Sequence, residues 1–196
     1  MSVSAAPTMV PLSADLEHSP RDTILDASAR CFMEHGFKAT SIDDIARRLG
    51  ATKGMVYHYF DSKSDLFFEI HQRAMDALVQ AVDPEVRRRA PALERLHGMA
   101  RRHVETLIET QHYQRAVVEG VQMHLRVSTT EAQRQRLMQL QDRRRRYEQV
   151  FLKVLNQGID VSLGASFSVS NMSRVVTPRL RTGVVSLLVN WGWTYY

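Results

Sequence analysis

Apolar positions recur at helical spacing along most of this chain of 196 residues. The stretch at 41–60, SIDDIARRLGATKGMVYHYF, shows the pattern clearly. Ser41 and Asp44 have the spacing of a capping box, which begins a helix. Gly50 is suited to end that helix, because a residue without a Cβ adopts positive φ at little cost. Between them lies one apolar stripe: Ile42, Ile45, Ala46 and Leu49.

A second short helix follows directly. Thr52 is a suitable N-cap, and the pattern predicts a packing side made of Met55, Val56, Tyr59 and Phe60. Two helices joined by a short turn that contains glycine form a helix-turn-helix. Such a unit places its second helix in the major groove of DNA. The stretch therefore predicts a DNA-reading element.

Two more helices flank this unit. One precedes it and stops at Gly36, which is typical of a C-terminal cap. The other is capped by Ser62 and runs to Val82, where Asp83 and Pro84 are expected to end it. The first helix should pack on the helix-turn-helix as the third member of a small bundle.

Three further helices are predicted up to Gly158, followed by a Ser-, Gly- and Val-rich loop at 158–173 and a last apolar helix. The predicted fold is therefore all-α, with an N-terminal three-helix bundle and a larger helical domain. The predicted divisions are a disordered arm at 1–19, a helix-turn-helix domain at 20–66 and a helical domain at 67–196. The apolar positions that mark the fifth helix are Leu93, Leu96, Met99, Ala100, Val104, Leu107 and Ile108.

Composition is that of an ordinary soluble globular protein, with 44% hydrophobic and 24% charged residues. The single cysteine, Cys31, excludes an intramolecular disulfide and fits a reducing compartment. No signal-peptide pattern and no apolar run of about 18 residues occurs. A cytoplasmic location is therefore predicted. The formal net charge of +5 permits a polyanionic partner.

No pattern of a catalytic or metal site stands out. The histidines His97, His103, His112 and His124 lack the i, i+4 pairing of a zinc site, so no metal and no cofactor is predicted. Two alternatives to a regulator stay open at this point. One is an enzyme with a DNA-targeting head, such as a recombinase, although no nucleophile with acid or base partners is visible. The other is a helical interaction module without operator specificity.

The residues at 24–36 and at 40–67, the latter TSIDDIARRLGATKGMVYHYFDSKSDLF, resemble the DNA-binding domain of the TetR family of bacterial transcriptional regulators. The resemblance implies a dimeric repressor of a palindromic operator, with a C-terminal domain at 67–196 for dimerisation and for a small ligand that lowers DNA affinity. A shorter segment, DRRRRYEQVFLKVLNQGI at 142–159, followed by NWGWTYY, resembles TetR regulators of fatty-acid and steroid-ring catabolism, which respond to acyl-CoA thioesters. The family also implies one more helix beyond the position of Tyr196.

Candidate DNA contacts cluster around the second helix of the unit, where side chains read base edges and basic or hydroxyl groups bind phosphates. Tyr57 and His58 point away from the packing side, and by resemblance they match the family's DNA-contacting aromatic pair. Lys63 likewise matches a phosphate-binding lysine. A solvated polar face is the alternative. The full predicted set is Thr40, Arg47, Thr52, Lys53, Gly54, Tyr57, His58 and Lys63.

Candidate ligand contacts lie in the larger domain, because helix bundles bind ligands between facing helices. Arginines at 143–146 offer bidentate geometry for the phosphates of a CoA-type ligand, although a charge run is usually a solvated face. Apolar members of the set are equally suited to a packed core. The predicted pocket comprises Met99, His103, Met123, Arg143, Arg146, Phe151 and Trp191.

Overall fold

The computed structural model describes residues 19–126 and 130–163, with side chains at 19–118 and 130–158. These ranges fold into seven α-helices and contain no strand. The predicted arm at 1–19, apart from Ser19, and the predicted last helix lie outside the described residues. The helices are α1 Pro20–Ala39, α2 Ile42–Leu49, α3 Lys53–Tyr59, α4 Lys63–Arg87, α5 Ala92–Glu109, α6 Gln111–Arg126 and α7 Glu131–Leu163.

Local signals begin and end the first helices as predicted. Ser41 and Asp44 form both bonds of the capping box at the start of α2. Gly50 ends α2 with a φ of 63°, and Thr52 caps α3 by accepting a hydrogen bond from the Met55 N–H. Gly36, with a φ of 80°, interrupts the helical geometry of α1, which resumes as a short turn to Ala39.

The predicted end of α4 at Val82 is wrong. The helix continues through Pro84 to Arg87. Pro84 lies in the last turn, where its missing N–H removes one backbone hydrogen bond of the helix. Val82 is buried and Val86 packs against the same apolar cluster, so this packing favours the continued helix.

The predicted fifth helix is present as α5, in which Met99, His103 and Thr106 take the inner side while Leu93, Val104 and Ile108 are 78%, 47% and 67% exposed. The predicted end of the seventh helix is wrong. Helix α7 does not end at Gly158 but continues to Leu163. A Cβ at Gly158 would lie 3.1 Å from Ala92 Cβ, so this glycine permits close packing against α5 rather than ending α7.

Two apolar cores stabilise the described part of the chain. The proximal core joins side chains of α1–α3 and the first half of α4, including Phe32, Phe67 and Ile45, to Tyr113 of α6 and Leu140 of α7. The distal core consists of Met75, Leu78, Val82, Met99, Tyr147, Phe151 and Val154. Helix α4 contributes to both cores and, at about 1.5 Å per residue, spans roughly 37 Å.

Charged pairs join the helices around α4. Arg21 pairs with Glu69 at 2.5 Å, and Arg143 of α7 pairs with Asp76 of α4. His112 of α6 lies 2.8 Å from an Asp26 carboxylate oxygen of α1. The proximal core and these pairs connect α1–α3 directly to α6 and α7, and the predicted division at residue 66 stays a prediction. Across the described residues, no helix is both long and apolar enough to cross a membrane.

Candidate nucleic-acid interface

Helix α3 has one buried side and one open side. Val56 and Phe60 are 0% and 4% exposed and belong to the proximal core. The predicted burial of Met55 is wrong, because its side chain is 41% exposed. Successive residues of a helix are turned by about 100°, and Val56, Phe60 and the half-buried Tyr59 already occupy the inner side. The open side carries Lys53, Gly54, Met55, Tyr57 and His58.

The two predicted aromatic contacts are both on the open side. Tyr57 is 46% exposed, and His58 is exposed with its ring edge-on to Tyr59 at 4.9 Å. The phenol hydroxyl and the imidazole nitrogens can form hydrogen bonds with a base edge or a phosphate. Their placement therefore agrees with DNA contact, which stays a prediction for both residues.

Lys53 is exposed but already paired. Its ammonium donates to an Asp43 carboxylate oxygen at 2.9 Å, and this hydrogen bond raises the pKa of Lys53. The same ammonium lies 5.9 Å from the centre of the Tyr57 ring. A DNA phosphate near Lys53 would therefore compete with Asp43 for the ammonium.

Gly54 has no evident role within the chain. Its backbone is helical, and an added Cβ would meet only Thr52 Oγ1, at an ordinary distance of 3.8 Å. Glycine in a helix costs about 1 kcal/mol relative to alanine. A glycine at this open position would permit close approach of another molecule to the backbone, and the predicted DNA contact of Gly54 stays a prediction.

Thr40 and Lys63 come together behind the interface. Thr40 is 2% exposed, and its hydroxyl donates to Gly36 O at 2.8 Å. Lys63 Nζ donates to Phe37 O and Thr40 O, both at 2.8 Å, and burial lowers the pKa of Lys63. The two side chains thus fix the turn that follows Gly36. The predicted phosphate contacts of these residues stay predictions.

Arg47 and Thr52 lie on the rim of the interface. Arg47 has a side chain that is 76% exposed and pairs with Asp44 at 3.0 Å. Thr52 is exposed while its hydroxyl caps α3. Residues 20–66 contain seven Lys or Arg and seven Asp or Glu, so their formal charges cancel. Affinity for DNA at this surface must therefore depend on a few well-placed contacts.

The predicted ligand residues do not form one open site in the described part of the chain. Met99, His103 and Phe151 are at most 1% exposed in the distal core. His103 Nδ1 lies 2.8 Å from Tyr147 Oη, and burial raises the pKa of Tyr147. Tyr147 is not among the predicted pocket residues, although its position four residues before Phe151 places it on the same helix face.

The arginines at 143–146 differ in their surroundings. Arg143 pairs with Asp76, whereas Arg146 is exposed. Arg144, which is not in the predicted pocket set, pairs with Glu148 at 3.0 Å, and burial lowers the pKa of Arg144. Met123 and Trp191 have side chains outside the described residues. Among the described residues, no group of three or more His, Cys, Asp or Glu side chains is placed to bind a metal ion.

Comparison with known families matches the DNA-binding region. The sequence model of a family described as bacterial regulatory proteins, tetR family, matches residues 24–70. The match begins in α1, covers α2 and α3 and ends in the first half of α4. It therefore includes α3 with its whole open side.

Individual proteins extend the similarity beyond this region. The chain is 32% identical over 143 residues to the HTH-type transcriptional repressor KstR2 of Mycobacterium tuberculosis, covering 73% of this chain and 68% of KstR2. The solved structure of the ketosteroid transcriptional regulator KstR2 from that organism has a TM-score of 0.63 at 29% identity, covering 90% of this chain and 84% of the other. The structure of AibR with isovaleryl coenzyme A and operator DNA has a TM-score of 0.62 at 21% identity, covering 91% and 88%, and shows the shared fold alone.

Proposed function

This chain belongs to the tetR family of bacterial regulatory proteins, and we propose that it represses transcription by binding a palindromic operator as a dimer until a small-molecule effector releases it. Like its named relatives, it is a DNA-binding regulator and not an enzyme. We place its action in the cytoplasm, where operator DNA and a metabolic effector are both accessible.

The observation that carries the proposal is the open side of α3. This short helix presents Lys53, Gly54, Tyr57 and His58 outward, while Val56 and Phe60 anchor it to the proximal core. An anchored helix with an exposed polar side is the part of a helix-turn-helix that enters the major groove. The family match over 24–70 covers all of these residues.

Dimerisation follows from the size of the reading element. Helix α3 has seven residues, and one such helix spans too few base pairs to specify a site in a genome. Two copies related by a two-fold axis would read half-sites about one helical turn apart. Size-exclusion chromatography with light scattering should therefore show a dimer, and a monomer at concentrations that bind DNA would contradict this part of the proposal.

The proposed effector is an acyl-CoA thioester. The KstR2 relative is named as a ketosteroid regulator and AibR was solved with isovaleryl coenzyme A, and Arg146 is an exposed cation beside the distal core residue Tyr147. Helix α4 connects that core to the proximal core. A ligand that displaced α4 at the distal core would therefore also disturb the base of the reading element.

DNA binding can be tested with duplexes from the region upstream of the chain's own gene. Footprinting should reveal one protected palindrome. In fluorescence anisotropy, His58→Ala should weaken binding by about tenfold, since one lost base contact costs about 1–3 kcal/mol. The matched control is His97→Ala, an exposed histidine on α5. Equal affinities for His58→Ala and the wild type would show that His58 does not contact the DNA. Absence of any protected site would contradict operator binding.

Effector release can be tested on the same labelled duplex. Addition of acyl-CoA thioesters of increasing chain length should lower the anisotropy, whereas free CoA should not. Arg146→Ala should shift the required concentration upward, because it removes a cation available to a phosphate. Arg87→Ala is a suitable control, since the Arg87 side chain is also highly exposed, at 78%. No response to any CoA thioester would refute this effector class.

A further inference from the structure

Met55 is an apolar side chain on a surface that is otherwise polar. It is 41% exposed and lies outside both apolar cores, so the fold does not require its side chain. Its described hydrogen bonds are both made by the backbone N–H, to Thr52 O and Thr52 Oγ1, and almost any residue could supply that donor. A role outside the chain is therefore the better explanation for a long apolar side chain at this position.

The neighbouring side chains limit how α3 can read bases. Its seven residues, KGMVYHY, include no Arg, Asn or Gln, and Lys53 is the one residue among them of a type that makes bidentate hydrogen bonds to guanine or adenine. Lys53 is paired with Asp43 at 2.9 Å. Tyr57 and His58 can each supply a single hydrogen bond to a base. Discrimination between base pairs therefore needs a further contact of another kind.

The spacing of Met55 places it beside one of these hydrogen-bonding residues. Met55 and His58 are three residues apart on α3, so their Cβ atoms are roughly 5–6 Å apart on the same open side. The major groove presents one apolar group for such a side chain to contact, the 5-methyl group of thymine. We propose that Met55 packs against thymine methyl groups in each half-site and so selects A·T pairs next to the base that His58 contacts.

The proposal rests on the operator binding proposed above, and it predicts a specific sensitivity to the methyl group. A binding duplex is first selected from a randomised pool with the full chain. Each thymine is then replaced in turn by deoxyuridine, which keeps every hydrogen-bonding group and lacks only the methyl. Affinity should fall roughly fourfold at one position of each half-site, since a buried methyl or methylene group contributes about 0.8 kcal/mol and tenfold corresponds to about 1.4 kcal/mol.

The methionine itself is tested by repeating the series with Met55→Ala. This variant should bind thymine and deoxyuridine duplexes equally well, whereas Met138→Ala, at an exposed methionine of α7 that is 61% accessible, should behave as the wild type. Thermal unfolding followed by circular dichroism should be unchanged for both variants, because both side chains are exposed.

Three outcomes would overturn the inference, and they can be told apart. If no deoxyuridine replacement weakens wild-type binding, no thymine methyl is read. If a replacement weakens the wild type and Met55→Ala equally, another side chain reads the methyl, while operator binding still stands. If no sequence is enriched from the pool, the operator proposal fails as well.

Discussion

The reading element at α1–α3 and the distal core hold their buried polar groups in different ways. In the first region, Thr40 and Lys63 donate hydrogen bonds to backbone carbonyl groups of the turn at 36–40. In the second, His103 pairs with Tyr147, a side chain that is 44 residues away and on another helix. Backbone partners stay available whenever the turn forms, whereas a side-chain pair needs two helices in the correct register. The turn before α2 is therefore stabilised by backbone partners, and the distal core depends on how α4, α5 and α7 meet.

The exposed surfaces of the two regions differ as well. The open side of α3 is polar apart from Met55, and its cation Lys53 is balanced by Asp43. The outer side of α5 instead exposes Leu93, Val104 and Ile108. This contrast agrees with a reading element that meets DNA and a second region whose outer side is apolar.

The largest expected effect tests whether the two cores unfold together. Phe67→Ala in the proximal core and Phe151→Ala in the distal core should each lower the free energy of unfolding by about 3–5 kcal/mol, since both phenyl rings are 0% exposed. Because α4 and α7 contribute to both cores, urea unfolding followed at 222 nm should remain a single transition in each variant. The control Leu93→Ala, at an exposed leucine, should change stability by less than about 0.5 kcal/mol. Two separate transitions would show that the regions unfold independently.

A pH effect is expected from His71, in the part of α4 that contributes to the proximal core. Burial, with smaller contributions from Arg144 and Arg143, lowers the pKa of His71 from 6.5 to about 3. The unfolded chain therefore binds this proton more readily than the folded chain between those pH values. Stability that is present above pH 6.5 should be lost as the pH falls, by about 1.4 kcal/mol per pH unit.

Urea denaturation at pH 7 and pH 5 measures this effect. The free energy of unfolding of the wild type should be about 2 kcal/mol lower at pH 5 than at pH 7. His71→Leu should remove most of this difference. His35→Leu should retain it, because the His35 side chain is 62% exposed. The same pH dependence in His71→Leu and the wild type would show that another group is responsible.

Lys63→Met tests how much the turn at 36–40 contributes to stability through the Lys63 ammonium. The substitution keeps an apolar stem but removes the ammonium from Phe37 O and Thr40 O, so stability should fall by about 1–3 kcal/mol. Arg47→Met, at a highly exposed arginine, is the control and should be nearly neutral in stability. Operator affinity measured against salt concentration separates the two roles of Lys63. A phosphate contact would also reduce the salt slope by about 1, whereas an unchanged slope would leave Lys63 with the structural role alone.

The smallest effect concerns Gly54. Gly54→Ala should stabilise the fold by about 0.5–1 kcal/mol, because the backbone is helical and the added Cβ meets nothing closer than 3.8 Å. Operator affinity should nevertheless fall, since the methyl group would keep the helix from the DNA. Gly50→Ala is the matched control and should destabilise the fold, because Gly50 has a φ of 63°. A Gly54→Ala variant with unchanged affinity would show that the backbone does not approach DNA closely there.

The sequence predicted what depends on neighbours along the chain. The capping box at Ser41, the stop at Gly50 and the cap at Thr52 are confirmed, because each depends on residues within four positions. Helical periodicity also identified the all-α fold. The open side of α3 was predicted at Tyr57 and His58, and only Met55 was assigned to the wrong side.

The errors have long-range causes. Continuation of α4 past Pro84 depends on packing in the distal core, whose other members lie on α5 and α7. Those partners cannot be identified from local periodicity. Gly158 was interpreted as a helix stop because glycine often is one, whereas here it makes room for Ala92 of another helix.

The cancellation of charge over residues 20–66 bears on how the protein would be distributed along a chromosome. Attraction to arbitrary DNA is almost entirely electrostatic, and a genome offers about 10⁶–10⁹ competing sites. A strongly basic surface would be sequestered on those sites and would search by sliding. A protein with a charge-balanced DNA-binding surface would dissociate quickly from random DNA and stay bound where its specific contacts match the base sequence. Few copies per cell would then suffice to occupy an operator, and the free pool would respond promptly when effector concentration changes.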